Sequence, residues 1–427
     1  MSYLIPDTDL SVSPNGDIVI SHNLSIAGSI TTAGGITSTT TTAGFLPPRL
    51  TTTQRNVVSA PPPGVYNFYR AITVDHTKVG TVGSTDQTNF PVLVSITDAT
   101  LATVANGGNV QNSSGFDIVF SSDAAGTSPL FWEMESYAPT TGAVVAWVLI
   151  PTLSHTTDTV FYMSYGNAAI STFQSVASSV WDANFQGVYH LGLNAALSLA
   201  DSTTNARNAT NTNVVVGAGK IAKSGDFGTG GTAWLTCGSA GDFSSIAAAG
   251  TYSSWFYCTD TSIFNSIITN QNFRTDRSGI GLFAATGSKL YYEIASASGN
   301  EGTFETNALA TATTWHLGVL TWDGSTVNMY VDGVVDYSGS QTHVPVVTTY
   351  PMLIGAVYDS GISSNNTGFH GLLDEARISS TARSADWIVT EYNNQSAPST
   401  FSSLGTEIPV VPAGASAKKK ASMFLVL

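Results

Sequence analysis

Apolar and polar residues alternate through most of the chain, and almost nowhere do apolar positions recur at the spacing of an amphipathic helix. Residues 91–97 (PVLVSIT), 143–150 (AVVAWVLI), 315–322 (WHLGVLTW) and 327–331 (VNMYV) are runs of strand length, rich in β-branched and aromatic residues. Asp323-Gly324 and Asp332-Gly333 punctuate the last two runs. They predict hairpin turns, because Gly supplies the positive φ that such turns need. The pattern predicts an all-β protein. A helix is expected only near 382–393, where Ser384-Ala385-Asp386-Trp387 has the form of a helix start, with a second short segment near 172–178.

Composition shifts along the chain suggest separate regions. Residues 1–44 set Ile18, Ile20, Leu24, Ile26, Ile30 and Ile36 among Gly, Ser and Thr, and close on a Thr-rich tract at 37–42. Strands this thin cannot bury themselves in a monomer, so the segment predicts an intertwined oligomer, with a disordered tail as the alternative. Residues 45–66 are Pro-rich and read as a connector. A first β domain is expected over 67–169 and a second over 180–405. Residues 406–427 form a tail holding Lys418, Lys419 and Lys420 before an apolar end, and so short a basic run reads as a solvated face.

Charge sharpens this picture. Only 10% of the 427 residues are charged, 15 Lys plus Arg against 29 Asp plus Glu, for a net −14. An average chain carries about 25%. The hydrophobic share of 42% is ordinary, so small neutral polar residues have replaced the charges. A chain with 8 Trp and 10% aromatics is built to pack cores, which argues against disorder. Acidity argues against a nucleic-acid partner. No apolar run of about 18 residues is present, so no membrane insertion is expected. The first ten residues lack a basic and an apolar signal region, so a secretory signal is not expected. Cys237 and Cys258 read as two buried thiols on core strands.

Candidate chemistry is sparse. The nucleophile elbow, zincin, P-loop and dinucleotide motifs are all missing from the sequence, and none of the 7 His has metal-ligand spacing. Paired acids occur at Glu133-x-Glu135 and Asp374-Glu375. Residues two apart on a strand share a face, so Glu133 and Glu135 suit either a glycosidase pair or, more simply, an exposed outer face. No catalytic residue is assigned, and the protein is expected not to be an enzyme. Asp201, in ADSTTNARNAT, and Asp374, after Gly371, are candidates for one structural Ca²⁺, and a β-turn cap explains either equally well. Trp132, Trp147, Trp255, Trp315 and Trp322 lie in alternating strands, where core packing is the default over sugar stacking. A ligand surface is expected instead on loops carrying Tyr358, Asp359, Asn365 and Asn366.

The second β domain resembles the laminin-G-like, concanavalin A-type jelly roll. The residues that carry the resemblance are Val188-Tyr189-His190-Leu191, Asp201-Ser202-Thr203, Gly219-Lys220-Ile221, Tyr252-Ser253-Ser254-Trp255-Phe256, the run Trp315 to Gly333, and Gly371-Leu372-Leu373-Asp374-Glu375-Ala376-Arg377-Ile378. About half of the chain is covered. The resemblance implies a carbohydrate-binding or adhesive module, often with one Ca²⁺, which is what brings Asp201 and Asp374 forward. The first β domain is similar to a β-sandwich module that often precedes such jelly rolls. It matches at Tyr69-Arg70-Ala71-Ile72, Asn89-Phe90-Pro91-Val92, Phe116-Asp117-Ile118-Val119-Phe120 and Trp132-Glu133-Met134-Glu135-Ser136. That family supplies no role for Glu133 or Glu135.

Phe45-Leu46-Pro47-Pro48-Arg49, Gln54-Arg55-Asn56 and Pro63-Gly64-Val65-Tyr66-Asn67 are similar to a segment of tailed-bacteriophage fibre and appendage proteins. Asn23-Leu24-Ser25-Ile26-Ala27-Gly28 resembles the thin β repeats of the same proteins. The expectation is a homotrimeric tail fibre or receptor-binding protein of the virion, assembled in the host cytoplasm. Residues 1–44 would anchor it to other virion proteins, and the jelly roll would bind host-surface polysaccharide. The alternatives are a head fibre or capsid-decorating protein, a bacterial surface adhesin, and a glycan depolymerase.

Overall fold

The structure is a computed structural model that describes residues 10–12, 18–20, 66–81, 84–272, 278–285, 289–296, 299–303, 312–347, 349–358, 362–363 and 367–410. The chain divides into two compact units, Met1–Gln54 and Arg55–Leu427. In the first, Leu10–Val12 pairs antiparallel with Ile18–Ile20. Leu24, Ile26, Ile30, Ile36, the connector 45–65 and Lys418–Lys420 lie outside the described residues.

The second unit is all-β, as the alternation predicts, and holds two sandwiches. The first has one sheet ordered Ser402–Leu404, Phe68–Val74, Thr159–Tyr165, Val119–Ser121, and a facing sheet ordered Gln87–Thr97, Ala143–Leu153, Trp132–Ala138. Its core includes Ile72, Phe90, Val92, Phe120, Trp132, Trp147 and Phe161. The second is a jelly roll of two larger sheets. A seven-stranded sheet runs from Ala209–Thr212 to Gly299–Thr303. An eight-stranded one runs from Val215–Ala218 through Gly371–Ser379, Gly250–Cys258 and Trp315–Trp322 to Val334–Ser340. Tyr252, Phe256, Ile268, Leu282, Ile294, Leu320, Trp322 and Met352 fill the space between them.

The strands form where the sequence predicts them. Asp332 and Gly333 have φ of 52° and 81° and turn the chain between Thr326–Val331 and Val334–Ser340, as Asp-Gly hairpins do. Trp132, Trp147, Trp255 and Trp322 are buried, and Trp315 is half-buried against the Trp255 cluster. Cys237 and Cys258 are free buried thiols. The helix is Ala385–Ser396, capped by Ser384 Oγ, which accepts from the Trp387 backbone N–H. Near 172–178 there is only a short 3-10 turn, Ala177–Ser179.

The helix is the wedge between the sandwiches. Ile388 and Tyr392 pack on Trp255, Leu317, Val319 and Tyr330, on the jelly-roll side. Trp387 packs on Phe90 of the first sandwich. Asn394 accepts from the Leu93 N–H and donates to the Leu93 carbonyl, so its amide stands where a neighbouring strand would stand along an open sheet edge. The chain then returns to the first sandwich. Ser402–Leu404 and Ile408–Pro409 both pair with Phe68–Val74. Ser402–Leu404 and Ile408–Pro409 thus complete the first sheet, although more than 200 residues separate them from the rest of it.

Candidate functional site

Two bulges bring buried charge to the junction of the sandwiches. In Trp132–Ala138 the register slips between Met134 and Ser136, and Glu135 is the extra residue. In Gly371–Ser379 the register against Gly250–Cys258 slips around Ser254, leaving Glu375 and Ala376 unpaired on that side. Glu375 has φ of 51°, a left-handed conformation that costs a β-strand residue about 1 kcal/mol or more. The bulge frees Asp374 and Glu375 from strict alternation, and both are fully buried.

His190 lies between the carboxylates. Its Nδ1 is 2.7 Å from Glu375 Oε1 and 3.8 Å from Glu135 Oε2, and its Nε2 is 3.4 Å from Glu133 Oε2. The indole N–H of Trp147 donates to Glu135 Oε2 at 2.9 Å, that of Trp181 to Glu133 Oε2 at 2.8 Å, and Ser202 Oγ to Glu133 Oε1 at 2.7 Å. Arg377 bridges Glu375 and Glu391, at 2.7 and 2.9 Å, with its guanidinium over the rings of Trp147 and Trp181.

Burial and neighbours divide these groups. Burial opposes charge on Glu133 and Glu375, but His190 beside both, and Arg377 beside Glu375, outweigh it and hold their pKa values below the usual carboxylate range. Glu135 is pushed up to about 8 by burial and then by the charge of Glu375. Asp374 is pushed well up by burial, then by Glu375 and Glu135. Burial opposes charge on His190 as well, yet Glu375 and Glu133 raise it well above the ordinary imidazole value.

Glu133 and Glu135 do converge, as an i, i+2 pair can, but not on an outer face: the Glu135 side chain is fully buried and that of Glu133 is 15% exposed. The His190 imidazole stands beside both. What the arrangement does is join Glu133 and Glu135 of the first sandwich to His190, Glu375 and Arg377 of the jelly roll. His190, Arg377 and Glu391 carried no role in the sequence reading. The only signal was charge at alternating positions in Asp374-Glu375-Ala376-Arg377.

The expected Ca²⁺ ligands are placed otherwise. Asp201 is buried, and its carboxylate accepts from the backbone N–H groups of Val188, Thr203 and Arg207 and from Thr203 Oγ1. Four donors point hydrogens at its oxygens, the opposite of what a cation needs, so Asp201 is a loop organiser. Asp374 Oδ2 accepts from the Ile221 N–H at 2.9 Å. Neither belongs to a convergent group of possible metal ligands among the described residues. Asp201→Ala is expected to destabilise the fold by about 1–3 kcal/mol through unpaired buried donors. Urea midpoints of parent and variant, each with Ca²⁺ and with a chelator, check this; the loss should be the same in both.

Of the expected ligand residues, Tyr358 lies in the short strand Val357–Tyr358 with its ring 4.7 Å from that of Tyr350. Asp359, Asn365 and Asn366 lie outside the described residues. A different concavity is present where the sandwiches and the helix start meet. This surface cleft of about 530 Å³ is lined by residues that include Asp86, Asn89, Asp182, Asn184, Arg383 and Trp387. Arg383 is held by Asp182 at 2.9 Å and lies over the rings of Phe185 and Trp387. Asn89 has φ of 52°.

Residues 229–389 match the family model of the concanavalin A-like lectin/glucanases superfamily. The match lies within the jelly roll and supports its reading as a laminin G-like domain. No curated protein matches the chain in sequence. The binding domain of Paraclostridial Mosquitocidal Protein 1 is 13% identical, with a TM-score of 0.38, over 49% of this chain and 52% of its own. The match thus spans about half of that chain's length. Domain 4 of AbnA, a GH43 extracellular arabinanase from Geobacillus stearothermophilus solved with arabinotriose, is 16% identical over 50% of this chain and all of its own, with a TM-score of 0.38. The Ruminococcus gnavus IT-sialidase CBM40 bound to α2,3 sialyllactose is 11% identical over 35% of this chain and 85% of its own, with a TM-score of 0.31.

Proposed function

We propose that this chain is the glycan-binding, non-enzymatic subunit of a tailed-bacteriophage appendage, with the cleft between its sandwiches as the binding site. The observation that carries the reading is the cleft. Its volume of about 530 Å³ suits a small saccharide, and its lining offers carboxylates, amides, a guanidinium and one indole. Sugar hydroxyls both donate and accept, so a mixed lining of this kind matches them. Asp182 and Arg383 neutralise each other, which suits a neutral ligand. The laminin G-like domain supports a lectin role. The virion setting, the homotrimer and the attachment to other virion proteins rest on the resemblance of residues 23–28 and 45–67 to phage appendage proteins. Three weak sites on one fibre would act together through avidity.

Binding of the full chain to host-surface polysaccharides on a glycan array tests the reading. Asp86→Ala and Asn184→Ala, both at exposed positions, are expected to weaken binding about tenfold or more by removing hydrogen bonds to the sugar. Tyr358→Ala should leave binding unchanged. Failure to bind any host polysaccharide would defeat the proposal. So would binding lost in Tyr358→Ala but retained in both cleft variants.

A further inference from the structure

The geometry points to a divalent-cation site at the buried junction, with His190, Glu375 and Glu135 as its ligands. One ligand atom from each of the three lies within 4.8 Å of the others, and all three residues are buried. Each ligand has its other atom held by a donor or acceptor behind it. Trp147 holds Glu135 Oε2, Arg377 holds Glu375 Oε2, and Glu133 stands at His190 Nε2. That leaves Glu135 Oε1 without a partner, and Glu375 Oε1 and His190 Nδ1 bonded to each other at 2.7 Å with Glu135 Oε2 3.8 Å from the same nitrogen. Metal sites are built this way, with outer partners fixing the tautomer and the carboxylate orientation.

A second observation is independent of the clustering. Glu135 Oε1 is buried without any hydrogen-bond partner, on a side chain with no exposure. A buried oxygen left unpaired is costly, and a cation would satisfy it. Charge agrees in sign: Glu133, Glu135, Glu375 and Glu391 set four carboxylates around the one guanidinium of Arg377 and the His190 imidazole, so acidic groups outnumber basic ones at the junction. A ligand set of one imidazole and two carboxylates suits Zn²⁺ or Mn²⁺ rather than the oxygen-only chemistry of Ca²⁺. On binding, the ion takes the place of the proton between His190 Nδ1 and Glu375 Oε1. Since Glu135 belongs to the first sandwich and His190 and Glu375 to the jelly roll, the ion would tie the two together.

The test uses the full chain expressed in medium supplemented with Zn²⁺ or Mn²⁺, desalted, and assayed by plasma mass spectrometry for metal content. About one ion per chain is expected, and a chelator should lower the thermal midpoint because metal binding is coupled to folding. Glu135→Gln, which keeps an acceptor for Trp147, should lose the ion. Glu133→Gln should weaken retention about 10–100-fold by freeing the imidazole. His76→Ala, at the group of half-buried Asp75 and His76 with exposed Asp158, should keep it. A parent chain without Zn²⁺ or Mn²⁺, whose midpoint ignores the chelator, overturns the proposal whether or not the variants fold. An ion retained by Glu135→Gln and lost by His76→Ala overturns it too.

Discussion

Arg377→Ala is expected to destabilise the fold by about 3–5 kcal/mol, the usual cost of removing one partner from a buried ion pair. The guanidinium serves two carboxylates at once, Glu375 and Glu391, and covers the faces of Trp147 and Trp181. Without it, among the described residues, Glu391 keeps the hydrogen bond from Gln395 Nε2, at 3.2 Å, and the more distant charge of Arg383, and Glu375 keeps His190. Burial already lifts the Glu391 pKa against the pull of Arg377, so that carboxyl would become protonated, while Glu375 would remain a buried charge with one partner. Arg377→Lys should recover little, because an ammonium cannot reach two carboxylates in a fixed fork or stack on indole. Urea unfolding followed by tryptophan fluorescence measures the effect. A loss below about 1 kcal/mol in Arg377→Ala would mean that the network contributes specificity and not stability.

Why this network escaped the sequence while the strands did not is a matter of range. Alternation, Asp-Gly turns and the Ser384 cap are local, and each sits where expected: Thr326–Val331, Asp332-Gly333 and Ala385–Ser396. The network is assembled from residues as far apart as Glu133 and Glu391, and no spacing rule connects them. Two of its members depend on bulges. Strict alternation would put Asp374 and Glu375 on opposite faces, and the register slip beside Ser254 defeats that rule. The same limit explains Asp201. A polar loop with an acid looks alike whether the carboxylate faces a cation or the loop's own N–H groups, and only the donors from Val188, Thr203 and Arg207 decide it. The cleft was invisible for a third reason. Its lining comes from three stretches, 86–89, 182–184 and 381–387, that meet only when the sandwiches do.

The returning C-terminal strands carry the second large expectation. Phe401→Ala should cost about 3–5 kcal/mol, since the ring is fully buried in the first sandwich core and its removal leaves a cavity. A chain ending at Ser396 should fare worse than one ending at Val410. It loses Phe401, and it also loses Ser402–Leu404 and Ile408–Pro409, both hydrogen-bonded to Phe68–Val74. Glu407, which accepts from Tyr165 Oη at 2.7 Å and from Asn109 Nδ2, goes with them. Phe68–Val74 would then keep Thr159–Tyr165 as its one paired strand and present a bare edge, the kind of surface that pairs with other copies. The expected result is aggregation of the shorter chain, by size-exclusion chromatography and dye binding, where the longer one elutes as a defined species. Equal elution and equal urea midpoints for the two chains would show instead that the first sandwich closes without its late strands. The order of assembly follows from the same pairing. Phe68–Val74 acquires its last neighbours only after the whole jelly roll has been synthesised, so the first sandwich cannot be completed before the second is made.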